Sequence, residues 1–148
     1  MSVHQRRLKL INFTVDGIAF ECQIRSWTLD PGTQDGDRQY TYCSGSEEGD
    51  NSFIEETDDE PTLQLTAFSD WRSDGFSDFL WTHANQTVDF VLDHHPNLPE
   101  GKRWRGRVQI KPGPVGGDAR TTEITEVTLP IVGTLGDGLY YEPMGAGA

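Results

Sequence analysis

From Thr62 the chain reads TLQLTAFSDWRSDGFSDFLWTH, and its hydrophobic period changes part-way. Leu63, Leu65 and Ala67 alternate with Gln64, Thr66 and Phe68, the two-residue period of a half-buried strand. Beyond Ser73 the positions facing one side become Phe76, Phe79, Leu80 and His83, the spacing of a short helix. Ser73 or Asp74 is placed to cap its start, and Asn85 to take a left-handed conformation past its end. A helix of about three turns persists only when packed. Phe76, Phe79 and Leu80 supply the packing face. Trp81 falls off that face, open either to a partner or to widening the buried stripe.

Alternation recurs elsewhere. Ile11, Phe13 and Val15 form one run, and Ile18, Phe20, Cys22 and Ile24 another. Asp16-Gly17 lies between them, the pair preferred by a tight type I′ hairpin. Val88, Phe90 and Leu92 predict a further strand, as do Trp104, Gly106, Val108 and Ile110, and then Val127, Leu129 and Ile131. PGPVGGD, from Pro112, reads as a turn-rich connector, and the closing MGAGA as a frayed end. These elements predict one domain over residues 1–148, an antiparallel β-sandwich or rolled barrel with one short flanking α-helix. The expected core is Ile11, Phe13, Ile18, Phe20, Leu63, Leu65, Phe79, Leu80, Phe90, Val108, Ile110, Val127 and Leu129. Cys22 is expected to pack among them as a small hydrophobe.

Charge changes this picture in one place. The net charge of the 148 residues is −12, and residues 30–60 hold eleven acids against one base, Arg38. Inside that segment lie two β-prone patches, QYTYCS and NSFIEE. It reads either as an extended arm or as a solvated acidic loop. Conversely, KRWRGR, from Lys102 to Arg107, puts bases on alternate positions of a strand. Tight DNA binding is excluded where carboxylates would face phosphate, so an acidic protein surface fits this basic stripe better.

Known chemistry finds little purchase. There is no nucleophile elbow, Walker loop, zinc-protease helix, dinucleotide fingerprint or calcium loop, which argues against an enzyme and against a cofactor or metal. His94 and His95 are adjacent on a predicted strand, where neighbours point to opposite faces, so they are not expected to share a metal. Cys22 and Cys43 form neither a disulfide framework nor a zinc pattern. No apolar run is long enough to span a membrane, and the N-terminal MSVHQRRLKLINF has no apolar signal core, so synthesis and retention in a cytoplasm are expected.

Several stretches, taken in order, resemble the major tail proteins of long-tailed bacteriophages infecting actinobacteria. They are YCSG at Tyr42, FIEETDDEPTLQLTAFSDWRSDGFSDFLW at Phe53, VDFVLDHHP at Val88, and VQIKPGPVGGDARTTEITEVTLPIVG at Val108. The similarity covers residues 40–135 and is weakest over 1–39. It implies a tail-tube fold, hexameric rings stacked into a virion tail, and assembly in the host cytoplasm. The implied partners are further copies of the chain and the tape-measure, terminator and distal tail proteins, with DNA passing through the lumen without specific binding. On this reading the subunit-interface candidates are Arg6, Arg7, Lys9, Lys102, Arg103, Arg105 and Arg107, facing Glu47, Glu48, Glu55, Glu56, Asp58 and Asp59 of a neighbour, with Trp81 on the helix. Two other readings stand beside it. One is a monomeric carbohydrate-binding module stacking sugars on Trp27, Trp71, Trp81 and Trp104. The other is a different tail component such as a terminator.

Overall fold

The computed structural model describes residues 2–43 and 51–143. Its strands are β1 (Ile11–Val15), β2 (Ile18–Ala19), β3 (Ile24–Asp30), β4 (Arg38–Tyr40), β5 (Ser52–Ile54), β6 (Thr62–Phe68), β7 (Thr87–His94), β8 (Lys102–Gln109), β9 (Ile124–Pro130), β10 (Thr134–Leu135) and β11 (Gly138–Pro143). Among the described residues a single helix, α1 (Phe76–Thr82), joins β6 to β7. Among the described residues no helix is long and apolar enough to cross a membrane.

Two sheets face each other across the core. One runs β10-β11-β8-β7-β1-β2 and the other β3-β6-β9. Neither closes into a barrel. They meet at one corner, where Ile131 bridges Val108 and the Val132 N–H donates to the Arg107 carbonyl (2.9 Å). The inner phase of the larger sheet brings Phe13, Val15, Phe90, Leu92, Val108 and Leu139 onto Leu63, Leu65, Ala67 and Leu129 of the smaller one, all buried. The alternation of β6 translates directly into this layer, with Leu63, Leu65 and Ala67 buried and Gln64 and Phe68 exposed. The β1–β2 turn is the expected one: Asp16 and Gly17 both have positive φ (53° and 78°), as a type I′ turn requires.

Three core expectations are corrected by position within a sheet. Ile18 pairs with Val15 but lies on the two-residue edge strand β2, with no strand beyond it, and is exposed. Ile11 and Val127 hold the inward phase but are only partly buried, Ile11 at the start of its strand and Val127 on the edge strand β9. Cys22 is also exposed, because the hairpin's second strand stops at Ala19. The chain there turns through hydrogen bonds from the Gln23 and Ile24 N–H groups to the Phe20 and Glu21 carbonyls, then restarts as β3. Strand β11 was not foreseen. It pairs with β8 from Leu139–Gly106 to Pro143–Lys102 and completes the larger sheet.

Helix α1 is seven residues long and covers the core with Phe76, Phe79 and Leu80. Phe76 and Phe79 pack against Phe20, with ring centroids 5.0 Å and 5.3 Å away. Neither Ser73 nor Asp74 caps it. Gly75 is the N-cap, and the Phe76 N–H donates instead to Gln23 Oε1 (2.8 Å), a side chain from the turn before β3. A Cβ at Gly75 would collide with the Asp70 carbonyl oxygen, so only glycine permits this tight entry. Past the helix, Asn85 takes φ 69°, as expected of a left-handed terminator. Ser77 is buried in the same face and shares Thr125 Oγ1 with Ser69, at 2.7 Å and 2.8 Å, which ties the helix to β9 through hydroxyls.

Candidate subunit interface

Beyond Asp30 the β3–β6 pair continues outward as an arm. Asp30 Oδ1 accepts the Gly32 N–H, the Glu60 N–H donates to the Gly32 carbonyl, and the Glu55 N–H donates to the Asp37 carbonyl. Farther out β4 pairs with β5 from Arg38–Ile54 to Tyr40–Ser52, and the Thr41 N–H donates to the Asn51 carbonyl. Side chains brace the ladder: Gln39 Nε2 donates to Glu55 Oε1, the Gln34 N–H to Asp59 Oδ1, and Thr57 Oγ1 to the Gln34 carbonyl. The acidic segment is therefore a hydrogen-bonded arm over its described residues rather than an unstructured loop.

Its surface is unusual for a free hairpin. Tyr40, Tyr42, Phe53 and Ile54 are exposed by 70%, 108%, 53% and 59%. Glu56 and Asp58 are exposed and have no hydrogen bond or ion pair among the described residues, whereas Glu55 and Asp59 help hold the arm's shape. Glu47 and Glu48 lie outside the described residues.

The basic candidates divide by whether the chain already partners them. Arg6 Nε donates to Glu100 Oε1 (2.6 Å), with His4 Nε2 3.5 Å from the same oxygen. The Arg6 hydrogen bond holds the Glu100 carboxyl at a pKa of about 2, well below its ordinary 4.5. Arg103 grips Asp93 through two hydrogen bonds, at 2.7 Å and 3.1 Å. That pairing raises the guanidinium pKa, and Asp93 is 4% exposed. Arg105 donates to Glu142 (3.1 Å) and lies 4.6 Å from the Tyr140 ring centroid. Arg7, Lys9, Lys102 and Arg107 have no ion-pair partner among the described residues. Register places Arg103, Arg105 and Arg107 on the outer face of the larger sheet, opposite Asp93, Val91 and Asp89. There Arg107 lines an open groove of about 710 Å³ with Asp89, Asp137 and Tyr140.

Trp81 is 49% exposed, off the buried face of α1. Trp71 is exposed and donates through Nε1 to Glu123 (2.9 Å). Trp27 and Trp104 instead approach each other at the open end between the sheets, 6.5 Å apart and tilted by 52°. The four tryptophans thus form no common platform. The expectation that His94 and His95 point apart is also corrected. Their ring centroids are 4.7 Å apart, because His95 leaves the strand with φ 48° and turns its ring back beside His94. Among the described residues no group of three or more His, Cys, Asp or Glu is placed to hold a metal ion.

Comparison with protein-family models, curated proteins and solved structures yields no match for this chain.

Proposed function

We propose that this chain is a virion structural protein, the tail-tube subunit of a long-tailed phage, which builds stacked hexameric rings by self-association. The observation that carries this reading is the arm. A two-stranded ribbon is marginal by itself in water, and exposed aromatic residues at its far end have a use only when something covers them. The sandwich body also leaves the seven-residue β3 as a sheet edge, an available template for pairing with another chain. Opposite charges on separated surfaces suit head-to-tail contact, which propagates into rings or filaments. The acidic arm and Arg107, which has no ion-pair partner among the described residues, are such a pair, and the resemblance along residues 40–135 agrees with this architecture.

On this reading the other contacts are with tape-measure, terminator and distal tail proteins, and no catalysis is required. A net charge of −12 suits a conduit, since carboxylates on its wall keep phosphate from sticking as DNA passes. Exposed ion pairs contribute only about 0–1 kcal/mol each, so apolar area supplies affinity and charge sets register. Sedimentation velocity over a concentration series tests this. The wild-type chain is expected to form assemblies that weaken as salt rises, and Arg107→Glu to require a higher concentration while keeping the wild-type circular dichroism. A chain that stays monomeric at every concentration would refute the proposal.

A further inference from the structure

At the mouth of the sandwich the two sheets leave a cleft of about 390 Å³, lined by Trp27, Leu29, Pro31, Trp104, Leu135 and Tyr141. Leu135 and Tyr141 are more than half exposed on its rim. Trp104 sits between Trp27 and Tyr141, with centroids 6.5 Å and 5.4 Å away and planes inclined by 52° and 41°. Such tilted rings offer no flat face to a sugar. The lining side chains bring only the two indole N–H groups and one phenol, too few to replace the hydrogen bonds a saccharide gives up on leaving water. The chemistry of the cleft calls for an apolar or aromatic side chain.

The same chain carries such side chains uncovered, namely Tyr40, Tyr42, Phe53 and Ile54 of the arm. None of them lines the cleft of its own chain. Pro31, at the arm's base, is part of the cleft rim, and Tyr40 lies farther along the chain at a distance of at most about 30 Å if the backbone between them were fully extended. The backbone bonds at Gly32–Glu60, Asp37–Glu55 and Thr41–Asn51 hold the arm together as a two-stranded ribbon over this span. Charge agrees with delivery from another molecule. Lys102 is two positions from Trp104 on β8, hence on the same face, and has no ion-pair partner among the described residues. The arm flanks its aromatic residues with Asp37, Glu55 and Glu56.

We infer that the cleft of one subunit receives the distal arm of a second copy of this chain, head to tail, with Tyr42 and its neighbours on Trp104 and Tyr141 and the arm's carboxylates near Lys102. This rests on the self-assembly proposed above and names the apolar contact that drives it.

Cys43, exposed beside Tyr42, provides a native probe. In a Cys22→Ser, Leu135→Cys double variant, mild oxidation of the assembled protein should link Cys43 to the new thiol of another chain. The expected product is a ladder of covalent species beyond two chains on a non-reducing gel, absent without Leu135→Cys. A bond within one chain, or a ladder stopping at two chains, would overturn the head-to-tail arrangement. Tyr42→Ser, at a fully solvated position where no buried contact is lost, should raise the concentration needed for assembly at least tenfold with an unchanged circular dichroism. If assemblies form normally with neither cross-link nor shift, this contact is wrong and the tube reading stands. If no assemblies form at all, both fail.

Discussion

Arg103 and Asp93 show how far one residue's role departs from its sequence pattern. By alternation Asp93, out of phase with Phe90 and Leu92, belongs on the outer face, and Arg103 is one of the bases expected to meet a neighbour. Cross-strand register instead sets them opposite each other, and Asp93 is buried beneath a bidentate pair. Pairwise register between strands is not written in the period of either strand, so this was not legible. The consequence is asymmetric. Arg103→Ala strands a buried carboxylate and should cost about 3 kcal/mol, the lower end for a broken buried pair because Arg103 itself is a third exposed. Asp93→Ala frees a guanidinium that can turn to water and should cost clearly less. Urea denaturation of the two variants checks this, and equal losses would show that Asp93 is not effectively buried. His95 was misread for a related reason, since its positive φ takes it off the strand and cancels the alternation.

The elements were read best where one period runs uninterrupted. Strand β6 spans Thr62–Phe68 as alternation implies, β5 falls within the β-prone patch NSFIEE, and β4 overlaps the patch QYTYCS but begins one residue before it, at Arg38. The helix start was missed because its capping group, Gln23, is distant in sequence. Strand β11 was missed because only Leu139 of its six residues is buried, so GLYYEP has no apolar rhythm. Two predictions belong at this scale. The N-terminal segment is held by Arg6 and His4 on Glu100, whose pKa is lowered to about 2. A carboxyl with a depressed folded pKa stabilises above its ordinary 4.5 and loses that contribution as pH falls through about 2. An NMR titration of the Glu100 carboxyl should therefore show a midpoint well below 4.5 that returns towards 4.5 in Arg6→Ala. The arm, standing off the body, should be the first segment cut by limited proteolysis of the monomer and should be spared in assemblies. Equal resistance in both states would count against its role in contacts.

For the molecule as a whole, antiparallel strands, a single covering helix and an acidic excursion were all legible, because each leaves a local mark in period or charge. The cleft at the sandwich mouth was not, since it joins Trp27, Trp104 and Tyr141 from three strands far apart in sequence. On the proposed reading these parts make a subunit, one that is incomplete until its arm is covered by another copy. Negative-stain electron microscopy of the purified 148-residue chain, concentrated in low salt, is the decisive measurement. Six-fold rings or hollow tubes are expected, lost when residues 33–58 are replaced by a short glycine-serine turn. A field of featureless small particles from the intact chain, at every concentration and salt, would contradict it.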